Sequence, residues 1–247
     1  MTKILYRIAL VIIFIFFAQY TYAYDSNPYG IPGKLLLEAN NGDPDALYKT
    51  AKYYFDASSC EDACATLTCN EEAHVLGMQA LKRAAEKGHK EANAHLGWLY
   101  YVGADLINID HKKAIYYSER GAKSGDINSM CTLAGVYQKD GNFKKAFYWY
   151  KQATMGEPHN NMDIDCLRSS FFSLGDMYEK GIGTSIDKVN AYAYKKIIIM
   201  LDKTWERIID TKTIYSDMTE AEKRDAERII YKWRKITDKW RNENKLN

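Results

Sequence analysis

The stretch AAEKGHKEANAHLGWLYYVG, residues 84–103, contains the features that decide the fold. Gly88 follows an alanine-rich helical pattern and can adopt the left-handed conformation that ends many helices. After it, Leu96, Gly97 and Tyr100 fall at i, i+1 and i+4, so a small residue lies beside large ones on one helical face. The stretch therefore predicts the end of one helix, a turn, and the start of a second helix packed against the first.

The second half of this pattern recurs along the chain. Three segments share Leu-small-x-x-Tyr followed by a glycine turn: AHLGWLYYVG (94–103), CTLAGVYQKDG (131–141) and FFSLGDMYEKGIG (171–183). A further helical pattern follows each of them, in KKAIYYSERGAKSG, KKAFYWYKQATMG and, more loosely, VNAYAYKKIIIM. Such a helix pair cannot bury its apolar face alone, so neighbouring pairs must stack. With no strand pattern in the sequence, the repeats predict an all-α fold, an α-solenoid of stacked antiparallel helix pairs.

These motifs resemble the Sel1-like repeat, a relative of the tetratricopeptide repeat. The run from Ala84 to Gly125 matches the family's Ala-Ala-x-x-Gly, Leu-Gly-x-x-Tyr, glycine-turn and Asp-x-x-Lys-Ala elements, the last of them between Asp110 and Ala114. A later repeat departs from the pattern, with Asn190 where the family favours lysine. The resemblance covers roughly residues 37–200 and implies about four helix pairs.

Residues 1–23 have the layout of a secretory signal peptide. Lys3 and Arg7 precede an unbroken apolar run from Ile8 to Ala18, and small residues stand just before Tyr24. The run is shorter than the roughly 20 residues that a membrane span needs. We therefore expect cleavage before Tyr24, a secreted or periplasmic mature chain, and no stable membrane span after cleavage. The alternative is that the segment stays attached as an anchor.

The charge of the chain is close to balanced. It has 34 lysines and arginines against 32 aspartates and glutamates, a formal net charge of +2. Cleavage of the leader removes Lys3 and Arg7 and leaves equal numbers of basic and acidic residues. A balanced chain argues against nucleic acid or an anionic membrane as the main partner. The sequence therefore predicts a protein or peptide partner and no nucleic acid.

The mature chain is expected to have two parts. Residues 24–210 should form the solenoid, with a cysteine-containing insertion at 56–71. Residues 211–247 should form a C-terminal capping helix, because Thr219 and Glu222 have capping-box spacing and an apolar stripe at helical period follows them. Such a cap covers the last exposed core face of a solenoid.

Five cysteines in an exported chain favour disulfide formation. Cys60, Cys64 and Cys69 lie in the insertion, where we expect one bridge that joins Cys69 to either Cys60 or Cys64. The connectivity does not follow from the sequence. A bridge between Cys131 and Cys166 is a further option that the sequence does not decide.

The same insertion offers a second interpretation, as a zinc site. Cys60, Cys64, Cys69 and His74 are a Cys3His set of the ligand types that zinc prefers. Their spacing is not that of a tight CxxC knuckle, and an oxidising compartment favours disulfides over metal binding. The sequence therefore favours no metal site, with zinc as the alternative.

Catalytic motifs are sparse. His89 and His95 are about 240° apart around a helix, so they do not form a ligand pair. Ser185 and Lys188 have the SxxK spacing of serine β-lactamases, without an accompanying SDN or KTG. The Sel1-like resemblance includes some cysteine-rich relatives that bind or hydrolyse β-lactams. We predict a non-enzymatic protein with no catalytic residue and no cofactor, with a secreted β-lactam-binding hydrolase or a zinc-dependent protein as the alternative.

The tetratricopeptide relatives of this repeat imply that the first helix of each pair lines a concave binding face. Residues offset from the core positions on those helices then remain available to a partner. By this register the candidate partner-binding residues are Tyr48, Lys52, Glu91, Trp98, Tyr101, Gln138, Lys139, Phe172, Asp176 and Glu179. Their mix of aromatic and charged side chains suits a protein or a peptide. The predicted function is an exported interaction scaffold, such as an envelope adaptor or regulator, or an immunity protein that neutralises a toxin.

Overall fold

A computed structural model describes residues 29–59, 67–103 and 106–243 of the chain. The leader predicted at residues 1–23 lies outside the described residues. Within them the chain forms eleven α-helices, one 3-10 helix and no β-strand. The 3-10 helix is Lys203–Arg207, and the α-helices are α1 (Gly33–Asn40), α2 (Pro44–Ser59), α3 (Leu67–Glu86), α4 (Lys90–Val102), α5 (His111–Lys123), α6 (Ile127–Lys139), α7 (Phe143–Ala153), α8 (Asn161–Lys180), α9 (Lys188–Leu201), α10 (Lys212–Ser216) and α11 (Glu220–Glu243).

The predicted all-α fold of stacked helix pairs is confirmed. The pairs are α2 with α3, α4 with α5, α6 with α7, and α8 with α9. Gly88 separates α3 from α4 with a φ of +87°, as expected from the stretch at 84–103. The chain divides into two compact units, of which the first ends at Ala92 and the second begins at Asn93, in the first turn of α4.

The first unit has a core of small and branched side chains. In this unit α1 packs against α2, and α2 packs against α3. The residues with at most 1% of their surface exposed include Leu47, Ala51, Leu81, Ala84 and Ala85. Helix α2 continues to Ser59 and α3 begins at Leu67, so helix also covers the two ends of the segment 56–71.

In the second unit consecutive helices approach each other closely at small residues. Gly97 of α4 faces Ser118 of α5, and Gly121 of α5 faces Ser129 of α6. A Cβ atom at either glycine would overlap the serine hydroxyl opposite. Both serines have 0% of their surface exposed. The small residue of the Leu-small-x-x-Tyr pattern is therefore a packing requirement at Gly97.

The lysine and the tyrosine of the repeat pattern meet in space. The Lys113 ammonium lies 5.1 Å from the centroid of the Tyr100 ring, and the Lys145 ammonium lies 4.7 Å from that of Tyr137. A cation over an aromatic face contributes about 0.5 to 1 kcal/mol at exposed sites. In the repeat formed by α8 and α9, Asn190 replaces the lysine, and its amide donates instead to the aspartate that caps α9, at 2.7 Å. The sequence departure at this position therefore exchanges one local contact for another.

Polar caps define where five helices of the second unit begin. In each case the side chain accepts a hydrogen bond from the backbone N–H of the third helical residue. The capping residues are Asp110, Asp126, Asn142, Asn160 and Asp187. Such a cap contributes about 1 kcal/mol, and it fixes the residue at which the helix starts.

Helix α11 closes the second unit by packing against α9. It begins at the predicted capping box, in which the Glu222 carboxylate accepts from the Thr219 N–H at 2.7 Å and the Thr219 hydroxyl oxygen accepts from the Glu222 N–H at 3.3 Å. Its Trp233 ring meets Phe171 edge to face at 4.7 Å. None of the described helices is both long enough and apolar enough to cross a membrane.

A disulfide joins Cys131 of α6 to Cys166 of α8, with 5.9 Å between the two Cα atoms. The sequence left this bridge open. It connects the first helices of two neighbouring repeats and closes a loop with a sequence separation of 35. The cross-link therefore spans a complete intervening helix, α7, and two turns.

Replacing both Cys131 and Cys166 by alanine removes this cross-link. We expect the free energy of unfolding to fall by about 3 to 4 kcal/mol, because the unfolded chain regains the entropy that a closed loop of this length withholds. Urea unfolding followed by circular dichroism measures the change. Adding a reductant to the double variant should change its free energy of unfolding only through the other three cysteines. A double variant as stable as the oxidised wild type would contradict the expectation.

Tyr194 of α9 lies in the aromatic part of the core. Its ring centroid is 5.6 Å from that of Phe171 and 5.8 Å from that of Tyr178. Burial, with a further contribution from Tyr178, raises the pKa of Tyr194 to about 12 from an ordinary value of 10.0. The folded chain therefore holds this phenolic proton more firmly than the unfolded chain does.

The raised pKa of Tyr194 makes stability depend on pH in the alkaline range. The folded-state pKa lies above the unfolded value, so the stabilisation is complete below about pH 10 and is lost as the pH rises towards 12. We expect Tyr194→Phe to reduce the loss of unfolding free energy between about pH 9 and pH 11.5 by roughly 2 kcal/mol. Urea unfolding at a series of pH values measures it. Equal pH dependence in wild type and variant would show that Tyr194 is not the cause.

Candidate binding surface

In the first unit, two of the predicted residues gather around His89. The Tyr48 ring centroid lies 4.6 Å from that of His89, and a Glu91 carboxylate oxygen lies 3.5 Å from His89 Nδ1. That nitrogen accepts the N–H of the third residue of α4 at 3.2 Å, while His89 Nε2 lies 3.2 Å from the Asp45 carboxylate. His89 therefore caps α4. Lys52 lies exposed on α2.

In the second unit, Tyr101 and Lys139 come together over a glycine. Tyr101 of α4 is half-buried, and a Cβ atom at Gly135 of α6 would lie 2.6 Å from its hydroxyl oxygen. The Lys139 ammonium lies 4.2 Å from the centroid of the Tyr101 ring. Gly135 thus leaves the space in which the tyrosine lies, and the lysine covers its outer face. Trp98, one turn earlier on α4, is 48% exposed.

Gln138 is oriented by a buried tyrosine that the sequence analysis did not single out. The Tyr150 hydroxyl donates to Gln138 Oε1 at 2.6 Å. Burial raises the pKa of the Tyr150 phenol above its ordinary value, against the opposing effect of a hydrogen bond with Ser173. The phenol therefore remains a hydrogen-bond donor over the physiological pH range, and it holds the Gln138 amide at the surface.

Three predicted residues from two helices line one groove, with a volume of about 210 Å³. They are Gln138 of α6 and Phe172 and Asp176 of α8. Phe143 contributes a second aromatic wall, and Phe143 and Phe172 are 42% and 39% exposed. The Phe172 ring also packs against Trp205 at 5.4 Å. The groove, named here the phenylalanine groove, therefore presents apolar surface between polar rims.

The two predicted acidic residues of α8 share a buried lysine. The Lys195 ammonium lies 2.7 Å from a Glu179 carboxylate oxygen and 3.6 Å from one of Asp176, whose other oxygen lies 2.9 Å from Lys180. Lys195 is only 9% exposed. Because a buried ammonium is costly without partners, both carboxylates stabilise it. Asp176 and Glu179 are thus fixed in place within the fold.

The predicted insertion bridge and the zinc alternative cannot be placed in this structure. Cys60 and Cys64 lie outside the described residues, and the side chain of Cys69 does too. His74 is described, and its ring meets Phe55 edge to face at 5.5 Å. Among the described residues no group of three histidine, cysteine, aspartate or glutamate side chains is placed to hold a metal ion. The insertion bridge therefore stays a prediction, and the zinc site stays an alternative to it.

The SxxK spacing falls at the turn before α9. Ser185 is exposed, and the Lys188 ammonium lies 3.5 Å from the Asp217 carbonyl oxygen. The lysine therefore has a contact with the turn before α11. The hydrolase alternative rests on the spacing of these two residues.

Several residues of the surface carried no signal in the sequence pattern. Besides Tyr150 they are Phe143, Ser173, Met177, Lys180, Ile182 and Trp205. Phe143 begins α7 and Ile182 lies in the turn after α8, so neither belongs to a first helix. The register of the first helices therefore does not predict which way these residues face. An alignment of the repeats would have pointed to Tyr150. It lies one helical turn after Ala146, the alanine of the repeated Lys-Ala element, and therefore on the same face of the helix.

Comparisons with known proteins agree on the repeat. The Sel1 repeat family model matches residues 90–126, 130–156 and 172–194. Chitin synthase regulatory factor 4 of Schizosaccharomyces pombe is 31% identical over 70 residues, which are 28% of this chain and 11% of that protein. An ERAD-associated E3 ubiquitin-protein ligase component of Arabidopsis thaliana is 31% identical over 109 residues, 44% of this chain and 16% of that protein. The chain thus matches only a small part of either relative's length.

Among solved structures, a protective antigen of uropathogenic Escherichia coli with an SLR fold is similar to this chain. It shares 16% sequence identity and has a TM-score of 0.47. The match covers 86% of this chain and 50% of that one.

The hydrogen bond from Tyr150 to Gln138 can be removed without changing the packing of the ring. We expect Tyr150→Phe to lower the free energy of unfolding by about 1 kcal/mol, the net contribution of one such bond. Urea unfolding measures the loss. Tyr148→Phe is the matched control, because Tyr148 is 52% exposed on the same helix. Equal effects of the two changes would argue against a structural role for the Gln138 contact.

Proposed function

We propose that this chain, three segments of which match the Sel1 repeat model, is a non-enzymatic scaffold that binds a protein or a peptide on the exposed side of the first helices of its repeats. Proteins with Sel1 repeats typically mediate protein–protein interactions and are generally not catalysts. The observation that carries the proposal is the phenylalanine groove, in which Gln138, Phe172 and Asp176 converge from two repeats.

The groove has the properties of a binding site for an apolar side chain. Phe143 and Phe172 keep about two fifths of their surface exposed, although both lie beside a well-packed core. Aromatic side chains in partly enclosed sites contribute much of the binding energy at protein interfaces. Gln138, held by Tyr150, and Asp176, held by Lys180 and Lys195, supply polar groups in fixed positions.

The scaffold holds this site ready before a partner arrives. The Cys131–Cys166 disulfide joins the two helices that carry Gln138 and Phe172, about two turns before these residues in each helix. A site whose walls are already fixed loses less conformational entropy on binding than a flexible one. Of the remaining candidates, Trp98, Tyr101 and Lys139 in the same unit would extend the contact area. Tyr48, Lys52 and Glu91 of the first unit stay separate candidates.

The proposal includes export to an oxidising compartment. The signal-peptide layout of residues 1–23 supports it, and the Cys131–Cys166 disulfide is of a kind that persists in secreted and periplasmic proteins. The relatives named as a regulatory factor and as a ligase component suggest a role as adaptor or regulator. Masking of a toxin by an immunity protein would use the same surface.

Replacing Phe143 and Phe172 together by alanine tests the groove. We expect the affinity for the partner to fall by a factor of about ten or more, because apolar anchors of the interface are removed. Affinity capture from the native envelope or secreted fraction identifies the partner, and calorimetric titration with the purified partner measures the dissociation constant.

The matched control is Tyr116→Ala with Tyr148→Ala, since both tyrosines are exposed, at 56% and 52%, on the second helices. This variant should bind as the wild type does, and circular dichroism should show equal helix content in all three proteins. A partner bound equally by the phenylalanine variant, or lost in the tyrosine variant, would refute the proposed surface.

A further inference from the structure

A second groove lies in the second unit, where the start of α8 meets the ends of α9 and α11. Its volume is about 400 Å³, within the range of sites that enclose small ligands or side chains. Ile164 and Trp240 form apolar walls, and Arg168 of α8 and Arg241 of α11 each bring a guanidinium group. The partner-binding set predicted from the sequence contains none of these four residues.

Arg168 carries an unsatisfied donor at this groove. One terminal nitrogen of its guanidinium lies 3.1 Å from the carboxylate of Asp165, one turn earlier on α8. Its Nε–H is buried and meets no hydrogen-bond acceptor among the described residues. A buried donor in this state is unfavourable, because it has lost its hydrogen bond to water without gaining another. The Arg168 side chain as a whole is 35% exposed and lines the groove, so its guanidinium has donors for an acceptor that a ligand brings.

Arg241 is held beside the groove by the end of α9. One of its terminal nitrogens donates to the Met200 carbonyl oxygen at 3.2 Å, which uses one of the five N–H donors of the group. Guanidinium groups bind carboxylates through paired, charge-assisted hydrogen bonds. Two of them beside apolar walls therefore fit a carboxylate carried on an aliphatic stem.

Two acidic residues interact with Arg168, and one of them, Asp165, also lines the groove. The Asp165 side chain is 67% exposed, so its pair with Arg168 is a surface pair of small net stability. Asp202, the other acidic residue that interacts with Arg168, holds the Thr204 hydroxyl at 2.7 Å and the Thr204 N–H at 3.0 Å. Neither carboxylate meets the buried Nε–H of Arg168.

The second groove, named here the arginine groove for Arg168 and Arg241, lies along the same helix as the phenylalanine groove. Arg168, Phe172 and Asp176 are spaced four residues apart on α8, so they follow one face of it. At 1.5 Å per residue, Phe172 and Asp176 lie about 6 and 12 Å along the axis from Arg168. An extended peptide covers that distance in about two to four residues, at about 3.3 Å each.

We propose that the arginine groove binds an acidic side chain of the same peptide segment whose apolar side chain occupies the phenylalanine groove. The ligand is thus an extended segment with an aspartate or glutamate two to four residues from an aromatic or aliphatic anchor. This inference rests on the proposed function and adds to it the chemistry of the partner. Arg168 binds the carboxylate, and Arg241 completes the site.

A random peptide library, displayed without free peptide C-termini, tests this on the full-length chain. Peptides selected by the wild type should carry the acid and the anchor at the stated spacing. Arg168→Gln should raise their dissociation constant about tenfold or more. Changing the acid of the peptide to its amide should have a similar effect on the wild type and a much smaller effect on Arg168→Gln, in which only Arg241 remains. Fluorescence polarisation measures each constant.

Arg228→Gln is the matched control, because Arg228 is 77% exposed on α11 and the change in net charge is the same. Its dissociation constants should equal those of the wild type. Thermal unfolding of Arg168→Gln establishes that the variant is folded.

Three outcomes would overturn the inference. Selected peptides that lack an acid, or that bind Arg168→Gln as well as the wild type, contradict the arginine groove; if they still require Phe143 and Phe172, the proposed function stands. Peptides that bind only with a free C-terminal carboxylate, in a parallel library that exposes it, contradict the assignment to a side chain. If the wild type enriches no peptide relative to the variant in which Phe143 and Phe172 are replaced by alanine, both proposals fail.

Discussion

The close approach of consecutive helices at small residues is the constraint on which the second unit depends. At Gly97 and Gly121 no side chain fits, because a buried serine of the next helix occupies the space. A contact of this kind permits only one register between the two helices. One turn later, Tyr100 must then meet Tyr117, and the two rings stack with centroids 5.8 Å apart. The register of the core in turn determines which residues of the first helices face outward.

One position of the second helices shows how a shared register produces different surfaces. This position lies four residues after the alanine of the repeat pattern at the start of each second helix, that is, after Ala114, Ala146 and Ala191. Its occupants are Ser118, Tyr150 and Lys195. The serine is short and ends against Gly97, whereas the tyrosine reaches Gln138 and the lysine passes Gly175 to reach Glu179. The length of one buried side chain therefore decides whether the core of a repeat is connected to its outer face.

The sequence was sufficient for the fold class because small residues, tyrosines and glycine turns recur at helical spacing. It also placed Tyr101 with Lys139, and Gln138 with Phe172 and Asp176, on the same sides of their helices. It could not show that Lys195 would be buried. A lysine is expected to be exposed to solvent unless carboxylates such as those of Asp176 and Glu179 are known to face it. Nor could it show that Cys131 and Cys166 are close, since they lie on different helices separated by 35 residues.

The burial of Lys195 changes how the repeat formed by α8 and α9 can take part in binding. Asp176 and Glu179 neutralise a buried ammonium, so a partner that recruited either carboxylate would have to leave that charge with one partner fewer. The acidic residues of α8 are therefore poor sources of new binding energy, although they read as available in the sequence. Phe172 does not neutralise a buried charge. It lines the groove together with Gln138 and packs against the ring of Trp205. Among the partner-binding residues that the sequence predicts on α8, contact energy must accordingly come from Phe172, while the two carboxylates keep the helix and its neighbour in register.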